Sequence, residues 1–323
     1  MERIIYPERR RIYRRLVAVA AMLILFLGGG GIVFWKMTRE KEPVQWVENQ
    51  EIDGILPGEK KATLILAGGH QVELGKTTGQ KLEIEGLEIK EDQIIVKEKP
   101  ESPSQATEWN KLLIPRGGEY KLRLGDGTEV FVNSESSLRF PVEFSANERV
   151  VCLQGEAYFK VAREESRPFK VRTDGMDIQV LGTEFNVKAY ETERHVQATL
   201  VKGRVRVATG KEKRQYLDLQ PLQQADLDLL SEQLVVKEVD VNSVIAWKNG
   251  QFIFKGERLE EIMTVLARWY DFEVFYQNDK IRDLVFAGKL NRLESIHPIL
   301  EIIESTDKIH VEIQGKTLIL SEK

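Results

Sequence analysis

Cysteine is almost absent from this chain of 323 residues: Cys152 stands alone, so no intrachain disulfide can form. A secreted eukaryotic domain of this size would ordinarily carry several, whereas a bacterial extracytoplasmic protein often carries none. Cys152 lies in the alternating stretch VVCLQGEAYFKV and reads as a small buried hydrophobe. Histidine is scarce too. His70, His195, His297 and His310 are scattered without metal-ligand spacing, so neither a metal nor another cofactor is expected. The patterns G-x-S-x-G, H-E-x-x-H, Walker A and C-x-x-C do not occur. Two glycine-rich turns, at 116–118 and 125–127, sit between strand-like runs, so they lack the strand-to-helix setting of a phosphate cradle. Carboxylates are plentiful, but nothing singles out one pair for glycosidase chemistry. The expectation is a protein that is not an enzyme.

Charge is missing altogether from residues 16–35, LVAVAAMLILFLGGGGIVFW. As a helix these span about 30 Å, the thickness of a bilayer's hydrocarbon core. Arg3, Arg9, Arg10, Arg11, Arg14 and Arg15 precede the run, against Glu2 and Glu8. This bias predicts a cytoplasmic tail at 1–15, a single span at 16–35 and an external remainder. The run exceeds a signal-peptide core and ends without an A-x-A site, while Trp35 and Lys36 suit an interfacial anchor. The first 35 residues carry a net charge of +4 within a chain of −4, leaving −8 on the remainder. An acidic ectodomain is a poor electrostatic match for nucleic acid. The basic tail suits anionic headgroups of the inner leaflet.

Residues 36–60 read as a tether, and 61–240 as an all-β domain. The stretch KATLILAGGHQVEL returns 58 residues later as EYKLRLGDGTEVFV, so that Leu64, Leu66, Gly69 and Val72 correspond to Leu122, Leu124, Gly127 and Val130. Both copies alternate around a glycine turn, as hairpins do. Period-two runs continue to about residue 236 without a helical period, predicting a sandwich, roll or short β-solenoid. Beyond about 245 the pattern changes. Leu259, Ile262, Met263, Leu266 and Tyr270 share one helix face. A second helix, capped by Ser295 with Pro298 in its first turn, is predicted to carry Ile296, Ile299, Leu300 and Ile303. The expectation for 245–323 is a small α+β domain with two helices on one sheet.

The run 114–190 resembles the FecR family of anti-sigma factors in the form typical of Bacteroidetes. The resemblance rests on Arg116, Gly117 and Gly118; Asp126, Gly127 and Thr128; Asn133 and the residues up to 138; Gly155, Glu156 and 157–159; Arg167, Pro168 and Phe169; and 181–187, with Gly182, Thr183 and Phe185. The stretch from WKNG through ARWYDFEV to TLIL resembles the domain that ends these proteins, which is related to the short signalling modules of secretins and TonB-dependent transporters. The resemblance implies a single-pass inner-membrane regulator. It would relay a signal from a TonB-dependent outer-membrane transporter to an extracytoplasmic-function sigma factor, with the C-terminal domain docking the transporter's module through a sheet edge. The other reading is a periplasmic binding or assembly module anchored to the inner membrane without sigma-factor control. Family members usually carry a longer helical cytoplasmic domain; only 15 residues precede the span here, a departure that puts direct sigma-factor contact in doubt. Some relatives cut themselves once between the residues matching Gly182 and Thr183. In that chemistry the threonine hydroxyl attacks the glycine carbonyl, giving an ester that water opens.

Overall fold

The computed structural model describes residues 55–75, 82–84, 86–90, 93–97, 108–209 and 215–323. The expected tail, membrane span and most of the tether lie outside the described residues. No helix among the described residues is long and apolar enough to cross a membrane.

Period-two alternation builds two sheets that face each other across one core. The first contains, in spatial order, Gln71–Leu74, Ala62–Ile65, Trp109–Ile114, Ser136–Pro141, Arg149–Lys160, Phe169–Arg172, Met176–Val180, Val205–Thr209 and Gln215–Leu219. The second contains Leu82–Ile84, Leu87–Ile89, Gln93–Val96, Gly118–Arg123, Glu129–Val132, the same Arg149–Lys160, Glu184–Ala189, His195–Lys202, Gln223–Asp228 and Leu234–Glu238. Leu64, Leu112 and Ile178 from the first meet Ile89, Leu122, Phe185 and Leu200 from the second in a single buried cluster. Most pairings are antiparallel, so this is a two-layer sandwich rather than a solenoid of stacked parallel coils.

The strand Arg149–Lys160 belongs to both sheets. Its first half pairs with Phe169–Arg172 and its second half with Glu184–Ala189. The changeover falls at Gly155, whose φ of +97° few L side chains adopt. A Cβ there would lie 2.2 Å from Ser136 Oγ, which accepts the Glu156 amide at 2.9 Å. Gly155→Ala is therefore expected to cost about 2 kcal/mol or more, read as a lower urea midpoint at unchanged slope.

The 58-residue repeat is real in three dimensions. Leu64 faces Val72 in one hairpin and Leu122 faces Val130 in the other, so the registers coincide. Gly69 and Gly127 both have a φ of +84°. Their turns close with the same bonds, Leu66 N to His70 O and Leu124 N to Thr128 O, each 2.9 Å.

From residue 241 the chain forms α1 (Val241–Val244), a 3-10 turn (Ala246–Asn249), the strand Gln251–Arg258, α2 (Leu259–Tyr270) and the strand Glu273–Tyr276. A 3-10 turn at Asp279–Asp283, the strand Val285–Asn291, α3 (His297–Glu304) and the hairpin Ile309–Gln314 with Thr317–Glu322 follow. Leu259, Ile262, Met263, Leu266 and Tyr270 are core, as their spacing predicts. The single sheet expected here is instead two. Gln251–Arg258 pairs with Val285–Asn291 as a ribbon, and Glu273–Tyr276, Thr317–Glu322 and Ile309–Gln314 make a separate three-stranded sheet. The 3-10 turn, pinned by buried Ile281, carries the chain from one to the other. Ser295 does not cap α3; the N-cap is Ile296, itself helical and without a side-chain cap bond, and Pro298 supplies the rigid start. Both modules lie within one compact unit, residues 53–323, and the last six residues assigned to the tether, 55–60, are part of it.

Candidate functional site

Most of the residues singled out by sequence gather at two places. The first is the turn of the second hairpin. Asp126 accepts from the Thr128 amide at 3.0 Å and from its hydroxyl at 2.7 Å, the bonding of an Asx turn. Its carboxylate also pairs at 2.7 Å with Arg149, which is 0% exposed. Arg149 donates to the carbonyls of Arg167 and Ala162 at 2.9 and 3.0 Å, and its amide donates to Pro168 O at 2.9 Å. The guanidinium lies over the ring of Phe169, and Phe169 packs against Phe159, which stacks on Phe185 at 5.1 Å. Asp126, Thr128, Pro168, Phe169 and Phe185 thus surround one buried arginine or the aromatic core beneath it.

The second place is the seam between the sandwich and the C-terminal module. Arg116 reaches across it to the carbonyls of Ala267 and Phe272 at 3.0 and 2.5 Å and to Glu273 at 2.5 Å. Ala267 O lies in the last turn of α2 and Phe272 O just beyond it, where carbonyls lack helical partners and a cation is favoured. Gly117, φ +65°, donates its amide to Arg268 O at 2.7 Å. A Cβ on Gly118 would lie 2.8 Å from Lys61 O, so that position needs glycine for close approach. Deeper in, Trp247 Nε1 donates to Asn186 Oδ1 at 3.2 Å, and Asn186 donates to one oxygen of Glu156 at 2.9 Å. Asn133 donates to the other oxygen at 2.8 Å and accepts from Arg292 at 2.8 Å. Arg292, 1% exposed, stacks on Trp269 at 3.7 Å and pairs with Glu119 at 3.3 Å. Burial draws its guanidinium below the ordinary value, and Glu119 and Glu156 oppose that pull. A cavity of about 200 Å³, lined by Glu156, Asn186 and Arg292 together with apolar side chains such as Phe252 and Trp269, adjoins this chain.

A third arginine completes the seam. Arg268 donates to Glu135 at 2.8 Å, to Glu193 at 2.5 Å and to Thr192 at 3.2 Å, with Tyr190 under its guanidinium at 3.7 Å. Burial alone would raise the Glu193 carboxyl, but Lys188 and Arg268 outweigh it and hold it below the usual range. A depressed carboxyl stabilises the fold above its unfolded value of about 4.3 and loses that contribution as pH falls through its folded value. Stability of the purified protein is therefore expected to fall on acidification below about pH 4.5, and Glu193→Gln should flatten that limb of the denaturation profile.

Gly182 and Thr183 lie at neither place. A Cβ on Gly182 would meet Arg163 Cα at 2.7 Å. Thr183 is 4% exposed, donates its hydroxyl to Arg204 O at 2.8 Å and accepts from the Val161 amide at 3.0 Å. Both residues are closely packed.

Sequence alone singles out neither Arg149 nor Arg292, nor the carboxylates Glu119, Glu135 and Glu193; Trp247 and Arg268 fall within the C-terminal stretches WKNG and ARWYDFEV but without a role, and of the partners of Arg149 Asp126 was already marked. Arg149 carried a readable signal, because it holds the inward phase of an alternating strand, where an arginine must be paired. Among the described residues no group of three or more His, Cys, Asp or Glu is placed to hold a metal ion.

Fold and seam define a two-module protein: a sandwich whose strand and turn motifs staple an α+β module to its side. Residues 110–219 match the family model for the FecR protein, and residues 251–320 match that for the FecR C-terminal domain, together more than half of the chain. The chain belongs to the FecR family. Two crystal structures of a proposed anti-sigma factor from Parabacteroides distasonis, at 1.65 and 2.50 Å resolution, are similar to it. Each is 28% identical with a TM-score of 0.61 and is 99% covered, and they span 66% and 67% of this chain. No curated protein matches it.

Proposed function

We propose that the chain is a single-pass inner-membrane regulator of an extracytoplasmic-function sigma factor, with residues 36–323 in the periplasm. Membership of the FecR family and the likeness to the Parabacteroides anti-sigma factor support a role in sigma-factor regulation. The observation that carries the finer reading is the seam. Arg116, Asn133 and Glu156 belong to the family motif and are spent on holding the C-terminal module, so the module is a fixed part of the working protein. Among the described residues its ribbon strands and its outer strands Glu273–Tyr276 and Ile309–Gln314 each pair with a strand on one side only, although Glu304 takes the Val311 amide of the last at 2.8 Å, and a transporter's signalling module would add a strand on the other side. Phe275, 58% exposed, marks the outer face beside one of these edges.

Deleting residues 247–323 is expected to abolish capture of the transporter's signalling module in a pull-down, and undiminished capture by the sandwich alone would refute the assignment. Protease added to spheroplasts should digest the bulk of the protein, because the arginine bias places it outside. In cells, deleting the gene should change transcription from the promoter of the partner sigma factor. A silent reporter with an intact transporter complex would favour the anchored assembly module.

Self-cleavage between Gly182 and Thr183 is part of the same proposal. Intact-mass spectrometry should find fragments ending at Gly182 and starting at Thr183, abolished in Thr183→Ala. The fragments should co-purify, because Glu184–Ala189 stays paired with Arg149–Lys160. A full-length mass alone would sink this step.

A further inference from the structure

The membrane-proximal end of the folded region runs through the seam itself. Ile55 is 2% exposed and belongs to the hydrophobic cluster of the C-terminal module, with Leu259, Ile262, Leu266 and Trp269, and not to the sandwich core. Three residues on, a Cβ at Gly58 would lie 2.6 Å from Trp269 Cε3 and Cζ3, so the indole rests directly on the tether backbone. Glu59 and Lys60 then pair in parallel with Gly118 and Glu119 of the sandwich. The Glu59 amide donates to Gly117 O at 2.9 Å, and the Gly117 amide donates to Arg268 O at 2.7 Å. Lys60 pairs with Glu119, whose other oxygen holds Arg292.

We infer that the seam is a binding site for the chain's own tether, residues 55–60, with the C-terminal module as the jaw that holds it. The apolar half of the site is the module's α2 face and takes Ile55. The polar half is the sandwich turn at 116–119 and takes the backbone of 59 and 60. Gly117 is bonded to both, so the tether and the end of α2 are held by one residue. Moving the module off the sandwich exposes Ile55, lifts Trp269 from Gly58 and frees residues 55–60. Freeing the tether, conversely, opens the core of the module. Coupling of this kind is reciprocal, so each side reports on the other. The clamp itself rests only on described residues; that it faces a membrane rests on the reading of residues 16–35 as a span.

The test uses the full chain in detergent and the variant Ile55→Ser, with amide exchange followed in α2 and in the sandwich strands Trp109–Ile114 and Glu184–Ala189. Trypsin cleavage after Lys60 is followed in parallel. The clamp predicts that α2 exchange and Lys60 cleavage both accelerate about tenfold or more, equivalent to about 1.4 kcal/mol in the opening equilibrium, while the sandwich strands keep their protection. Should Ile55→Ser loosen the sandwich as well, Ile55→Val replaces it, with about two- to tenfold acceleration expected in α2 and at Lys60. Unchanged exchange in α2, whether or not Lys60 becomes accessible, overturns the inference. These readouts need neither a sigma factor nor a transporter, so the clamp and the regulatory reading can fail independently.

Discussion

Replacing Arg292 by alanine lowers the unfolding free energy by about 3–5 kcal/mol, the cost of breaking a buried ion pair from one side. The guanidinium donates to Trp247 O at 3.1 Å and to Asn133 at 2.8 Å, besides its pairing with Glu119. Alanine leaves these acceptors without their donor and removes the flat surface against Trp269. Arg292→Met keeps much of the packing and should lose less than alanine. Adding Glu119→Gln to Arg292→Met should recover little, because Lys60 still pairs with the Glu119 carboxylate in the Arg292→Met protein. Urea denaturation followed by tryptophan fluorescence reads all three, since Trp247 and Trp269 flank the site. A loss below about 1 kcal/mol for alanine would mean that water replaces the guanidinium freely.

Asp126→Asn should be comparably severe, again about 3–5 kcal/mol, because Arg149 is fully enclosed and would keep only the longer contact with Glu164, at 3.7 Å, as a counter-charge. The 58-residue repeat supplies an internal control. Gly68 occupies the corresponding place in the first hairpin and grips no arginine. A Cβ there meets only His70 Cδ2, at 3.8 Å, so Gly68→Ala should stay within about 0.5 kcal/mol. Chemical denaturation of the two variants side by side separates the buried ion pair from the hairpin that carries it.

These contrasts show what the sequence made legible. Local periodicity located the strands and the apolar face of α2, because Leu259, Ile262, Met263 and Leu266 obey a rule confined to neighbours in the chain. The hairpin repeat was readable to the register, since glycine placement and alternation determine the turn together. The single sheet expected in the C-terminal module failed because strand partnership depends on where a turn such as Asp279–Asp283 sends the chain. Family motifs pointed to Arg116, Asn133 and Glu156 without revealing their purpose. Their partners are 151 residues away for Arg116 with Ala267 and 159 for Arg292 with Asn133, and no periodicity reaches that far.

The strand shared by the two sheets has a bearing on how the chain acquires its structure. Arg149–Lys160 needs Glu129–Val132 and Ser136–Pro141 from earlier in the chain, and Phe169–Arg172 and Glu184–Ala189 from later. A polypeptide emerging N-terminus first therefore holds an unsatisfied central strand until about residue 190 has appeared. Pairings that span so much sequence are slow to nucleate, and the half-built sheet exposes edges open to intermolecular pairing. Such a chain would depend on a holding chaperone until its later strands arrive, and its two sheets, once closed, should melt in a single step.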